Sequence, residues 1–140
     1  MNNKSLKPLA LTFALSGVWD LIAAILYLFF IGANRMIDNP SANPFYTIFL
    51  GSFFLCFAFI QFMSAVNIKR YAFNIGCLII GRSFYIILLY AFIAFSPGFP
   101  STFWFTGIID STFTLLYIIF AFRGGLTIRN LFLPEIEKLA

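Results

Sequence analysis

The chain has 140 residues, of which 61% are hydrophobic and only 10% charged, with a net charge of +4, no histidine and a mean hydropathy of +0.95. Soluble domains carry about 25% charged residues, so this composition excludes a water-soluble globule. Lack of histidine removes the commonest metal ligand and general base, and the basic residues sit at the ends of apolar runs, which marks membrane orientation and not a nucleic-acid-binding face.

Lys4 and Lys7 precede the first apolar run, Leu9 to Ile31. In outline this resembles a signal peptide. The run is too long for a 7–15-residue hydrophobic region, however, and Asp20 interrupts it, so it is expected to remain as a membrane span. A polar loop with two prolines, residues 34–44, leads to the second run, Phe45 to Val66. The short link Asn67-Ile68-Lys69-Arg70-Tyr71 then predicts an antiparallel hairpin with the third run, Phe73 to Phe95. The turn Ser96-Pro97-Gly98-Phe99-Pro100-Ser101 introduces the fourth, Phe103 to Phe122.

Each run is long enough to cross about 30 Å of hydrocarbon. The expected fold is therefore an all-α, integral membrane four-helix bundle spanning residues 1–125, followed by a cytoplasmic interfacial tail at residues 126–140. Lys4, Lys7, Lys69, Arg70, Arg123, Arg129 and Lys138 fall on one side, and only Arg35 on the other. The positive-inside rule then places both termini in the cytoplasm, and a cell inner or plasma membrane is the expected location. Tyr46 and Trp104 suit an outer aromatic belt, while Lys69 and Arg70 suit headgroup anchors. Cys56 and Cys77 fall at depths roughly 10 Å apart at about 1.5 Å per residue, too far for a disulfide. Both are expected to be small core residues.

Asp20, Arg82 and Asp110 lie near the middle of their runs. Each costs about 2.5–3.5 kcal/mol at a membrane helix centre on insertion scales. From the cytoplasmic end, Asp20 is about 11 residues in, Arg82 about 9 or 10 and Asp110 about 12, so at about 1.5 Å per residue the depths agree within roughly 5 Å. One bundle interior can hold an Asp–Arg–Asp cluster, with the guanidinium fork serving both carboxylates.

Neighbouring polar residues follow helical spacing. Thr12, Ser16 and Asp20 share one face of the first helix; Thr106, Asp110 and Thr114 share one of the fourth, with Tyr117 on the next turn. Tyr85 follows Arg82 at one turn, and Trp19 and Tyr27 complete the candidate set. The second helix contributes less: Ser52 and Cys56 align, and Gln61 lies deeper toward the cytoplasm. Gly17, Gly81 and Gly107 lie beside the charges, where small residues admit close helix approach.

The pattern Gly-x-x-Asp-x-x-x-x-x-Leu-Tyr-x-x-Phe occurs at both Gly17–Phe30 and Gly107–Phe120. On helices of opposite direction, a duplicated element would be an inverted repeat around a central site.

The basic N-terminus, the Gly-Val-Trp-Asp of residues 17–20, Gly81-Arg82 and the Gly-x-x-Asp at 107–110 together resemble small four-helix membrane proteins of the DoxX-like and BphX-like kind, over about residues 5–125. The resemblance implies a compact bundle with an embedded polar site, and for some members an accessory role in membrane redox systems. It transfers no catalytic residue set.

Neither a nucleophile–base pair nor a metal set nor a cofactor loop is visible, so an enzyme is the least supported class and no cofactor is indicated. Two readings of the charges stay open: a lock that fixes helix register, or a site. As a site, it serves a protein that binds a small amphipathic or quinone-like ligand, or a partner subunit of a membrane complex. The alternative is transport of protons or a small solute by a homo-oligomer.

Overall fold

The computed structural model describes residues 5–31, 44–96, 98 and 103–133. The outer loop with Arg35 and Asp38, most of the 96–101 turn, Lys4 and the end of the tail with Lys138 lie outside the described residues. Helix α1 (Lys7–Ile25) runs on through a π-helical turn, Leu26–Ile31; α2 is Pro44–Val66, α3 Ala72–Phe95, α4 Trp104–Arg123 and α5 the short Ile128–Phe132. Four of these, α1 to α4, are long and apolar enough to cross a membrane. The chain is an all-α, multi-pass membrane bundle, consistent with a place in the inner or plasma membrane.

Helices are what such sequences must form, because lipid offers no partner for a free backbone group. Proline sits at the start of both α1 and α2, where its missing N–H costs nothing. Helix α1 packs closely along α2 and more lightly on α4, and α3 packs on α4. Helices α2 and α3 touch only briefly despite their short link, so the expected hairpin has no extended interface. Apolar surface gains nothing by leaving lipid for another helix, and α3 instead directs Arg82 at α1 and α4.

The densest packing lies toward the end that carries Lys7, Lys69, Arg70 and Arg123, where Leu9, Phe13, Ile75, Tyr117 and Leu131 are buried together. Phe13 and Tyr117 stack there with ring centroids 4.1 Å apart. Farther away the helices turn large side chains outward, as in the stacked run Phe45, Phe49 and Phe53 on α2.

Cys56 and Cys77 are free thiols and both are exposed, not core residues. Lipid is as apolar as the bundle interior, so an apolar thiol gains little by facing inward. Of the glycines expected to bring helices together, Gly17 faces Phe62, and Gly107 faces Leu89 and Tyr90. Gly81 meets open space, so its role there is overturned: it lies on the outward side of α3.

After α4 the chain turns through Gly125, whose φ of 87° lies in the left-handed region that glycine tolerates. As far as residue 133 the tail packs back on the bundle. Thr127 and Asn130 form a reciprocal cap on α5, and Leu126 and Leu131 are buried as α5 docks on α3. This docking depends on Gly76, where a Cβ would overlap the Leu131 carbonyl oxygen.

Two substitutions separate these glycines. Gly76→Ala should destabilise the detergent-solubilised protein by about 1–3 kcal/mol through overpacking and open the segment around Arg129 to trypsin. Gly81→Ala should be neutral or stabilising by up to about 1 kcal/mol from helix propensity. Equal thermal midpoints and digestion patterns for the two variants would refute the docked tail.

Candidate functional site

Three helices supply the centre. Asp20 projects from α1, Arg82 from α3 and Asp110 from α4, and the guanidinium bridges the two carboxylates. Arg82 Nη2 donates to Asp20 Oδ2 at 2.8 Å, and Nη1 donates to Asp110 Oδ1 at 2.8 Å. One terminal nitrogen thus serves each acid, the geometry that a planar fork offers and an ammonium does not. The guanidinium also lies 5.6 Å from the ring centroid of Phe113 and 5.8 Å from that of Tyr117, within cation–π range.

The second helix joins through a residue that depth counting had set apart. Gln61, fully buried, donates from Nε2 to the same Asp20 oxygen that Arg82 uses, and its Oε1 accepts from the Tyr117 hydroxyl at 3.3 Å. Cα–Cβ bonds tilt toward a helix's own N-terminus. Asp20 on α1 therefore leans toward the basic end, while Gln61 and Tyr117, on the antiparallel α2 and α4, lean away from it. The opposed tilts close a gap that counting along straight axes leaves open. Gln61 is the one amide side chain of α2, which has no charged residue, and that was the available signal. Ser52 and Cys56, the aligned pair on α2, are exposed and take no part.

The remaining candidates divide into two levels. Toward the basic end, Thr12 and Ser16 are buried on the Asp20 face, and Thr12 Oγ1 donates to the Pro8 carbonyl at 2.9 Å. Ser16 Oγ is fully buried and lies near the Tyr117 phenol without reaching a well-formed hydrogen bond. Thr114 donates to the Asp110 backbone carbonyl at 2.8 Å, which satisfies its hydroxyl within α4.

Toward the loop end, Tyr85 is 41% exposed, and its phenol borders Thr106, Asp110 and Tyr90. Thr106 donates to the Phe103 carbonyl at 2.7 Å. Tyr27 stacks on Phe54 with centroids 5.7 Å apart and neighbours Tyr85. Trp19 is half-buried beside Asp20, with no hydrogen bond or ring contact to the cluster among the described residues.

The two acids are not equivalent. Asp20 accepts from both Arg82 and Gln61 on Oδ2, with Oδ1 left without a partner among the described residues, and its side chain is 4% exposed. Asp110 gives Oδ1 to Arg82, and Oδ2 has no partner among the described residues; its side chain is 14% exposed. An open apolar groove of about 560 Å³ on the α1–α2 surface, lined by Leu21, Leu55 and Phe59 among others, exposes almost no polar surface and is not the charged site.

Comparisons with family models, with curated proteins and with solved structures find no match to this chain.

Removing the one cation of this buried cluster leaves two carboxylates uncompensated, whereas neutralising all three groups does not. Arg82→Gln should therefore cost about 3–5 kcal/mol of stability in detergent. The triple variant Asp20→Asn, Arg82→Met, Asp110→Asn should recover most of it. A triple variant as unstable as Arg82→Gln would show that the loss is not electrostatic. Gln61→Leu, which strips a donor from Asp20 and an acceptor from Tyr117, should cost about 1–3 kcal/mol by the same assay.

Proposed function

We propose that this protein is a non-catalytic membrane protein whose Asp20–Arg82–Asp110 site holds the polar head of a small amphipathic or quinone-like ligand. The observation that carries this reading is the inequality of the acids. A register lock needs both carboxylates equally closed, whereas Asp110 has one donor against the two on Asp20 and keeps a more exposed side chain, near the half-exposed Tyr85. Tyr85 borders Asp110, and Tyr90 and Tyr27 border Tyr85, so this side offers rings for an apolar body and hydroxyls for a polar head, the usual composition of a small-molecule site. In this reading the basic end faces the cytoplasm. The resemblance to DoxX-like and BphX-like proteins belongs to the same proposal, with service as an accessory subunit of a membrane complex as its cellular form.

A second reading, transport of protons or a small solute by an oligomer, draws support from polar groups on both sides of the cluster: Ser16, Gln61 and Tyr117 toward one end, Thr106 and Tyr85 toward the other. Proton flux into liposomes that Asp110→Asn abolishes would favour it, and absence of flux from the unaltered chain would dismiss it.

For the ligand reading, Asp110→Asn should keep the fold, judged by helical circular dichroism and a monodisperse detergent peak, and should lose the small molecule that mass spectrometry detects with the unaltered chain. Retention of that molecule by the variant, or loss of the fold, would count against a binding role for Asp110.

A further inference from the structure

The charges at the bundle centre do not sum to zero. Arg82 brings one positive charge, and Asp20 and Asp110 bring two negative ones. Among the described residues every other cation lies outside this centre: Lys7 opens α1, Lys69 and Arg70 form the α2–α3 turn, Arg123 ends α4 and Arg129 lies in α5. Both terminal nitrogens of Arg82 are already engaged. One excess negative charge is left in a medium that tolerates charge poorly.

The excess has a defined place. Asp20 takes donors from both Arg82 and Gln61 and is closed off, whereas Asp110 has Arg82 alone and the more exposed side chain, so the deficit falls on Asp110. Ser16 Oγ, completely buried one turn from Asp20 and near the Tyr117 phenol, lacks a well-formed hydrogen bond, so polar capacity is left over on the far side of Arg82 as well. The surroundings of Asp110 are aromatic, and the face of a phenol ring attracts positive charge.

We infer that the site takes the positively charged head of a lipophilic organic cation, an ammonium or phosphonium centre bearing alkyl or aromatic groups, seated between Asp110 and the Tyr85 ring. This rests on the ligand reading above and narrows it to one charge class. An anionic head meets a net negative site. A neutral quinone leaves the excess charge in place. A cation removes it, and reaches Asp110 from the lipid side past the half-exposed Tyr85. A proton on Asp110 fills the same deficit when no ligand is bound, so proton and cation compete.

Equilibrium dialysis of the full chain in nanodiscs tests this with labelled tetraphenylphosphonium, a short-chain benzoquinone and empty nanodiscs as control. Saturable phosphonium binding is expected, weakening as pH is lowered, with affinity reduced about tenfold or more in Asp110→Asn, a change that corresponds to about 1.4 kcal/mol. Tyr85→Leu leaves every charge in place and should reduce affinity by about three- to tenfold, which keeps the test valid should Asp110→Asn fail to fold. Saturable benzoquinone binding without phosphonium binding overturns the cation inference and leaves the ligand reading standing. Phosphonium binding that both variants leave unchanged is partition into lipid and overturns the inference. No binding of either probe above empty nanodiscs overturns both.

Discussion

A guanidinium halfway across a bilayer is tolerated only when its partners come with it, and here they come from two different helices. Arg82 ties α1 to α4 through α3, although α1 and α3 share little direct backbone contact. The bridge sets the relative rotation of three helices whose apolar surfaces specify rotation only weakly. It also fixes the level at which they meet, because one turn of slippage on any of them would strand a charge in hydrocarbon. Gln61 extends the constraint to α2, so each spanning helix contributes at least one side chain to a single connected network.

That network is not closed. Tightness falls from Asp20, held by a guanidinium and an amide, to Asp110, held by the guanidinium alone and bordered by exposed aromatic surface. The packing follows the same gradient. Phe13, Ile75, Tyr117 and the docked Leu131 fill the basic end, while the opposite half carries the π-helical turn of α1 and outward-facing phenylalanines on α2. A rigid base below and a looser aromatic half above are what a site open toward the membrane requires, and this asymmetry lies behind both functional proposals. The paired Gly-x-x-Asp segments add a geometric point. Antiparallel α1 and α4 present Asp20 and Asp110 to opposite sides of one arginine, and send Tyr27 and Tyr117 toward opposite ends.

The sequence made the charged centre legible because polar residues are the one reliable marker of an inner face in a membrane chain. Counting residues from the span ends placed Asp20, Arg82 and Asp110 at a common depth, and they meet. The same counting separated Gln61 from them, because it took helices as straight lines and ignored the opposed tilt of side chains on antiparallel helices. Apolar positions carried no such information. Cys56 and Cys77 were expected in a core and Gly81 at a close helix approach, yet lipid satisfies an apolar thiol or a bare backbone face as well as protein does. The docking of α5 escaped notice for another reason: it needs a missing Cβ at Gly76, more than fifty positions before Leu131, and no local pattern joins the two.

The central claim is that one guanidinium holds two carboxylates inside the bundle. Solid-state NMR on the chain in lipid bilayers, with 15N-labelled arginine and 13C-labelled aspartate, measures it directly. Dipolar contacts from Arg82 to the side-chain carboxyls of both Asp20 and Asp110 are the predicted result, each removed by the corresponding Asp→Asn substitution. Contact with one acid only, or with neither, would contradict the bridge and the site built upon it.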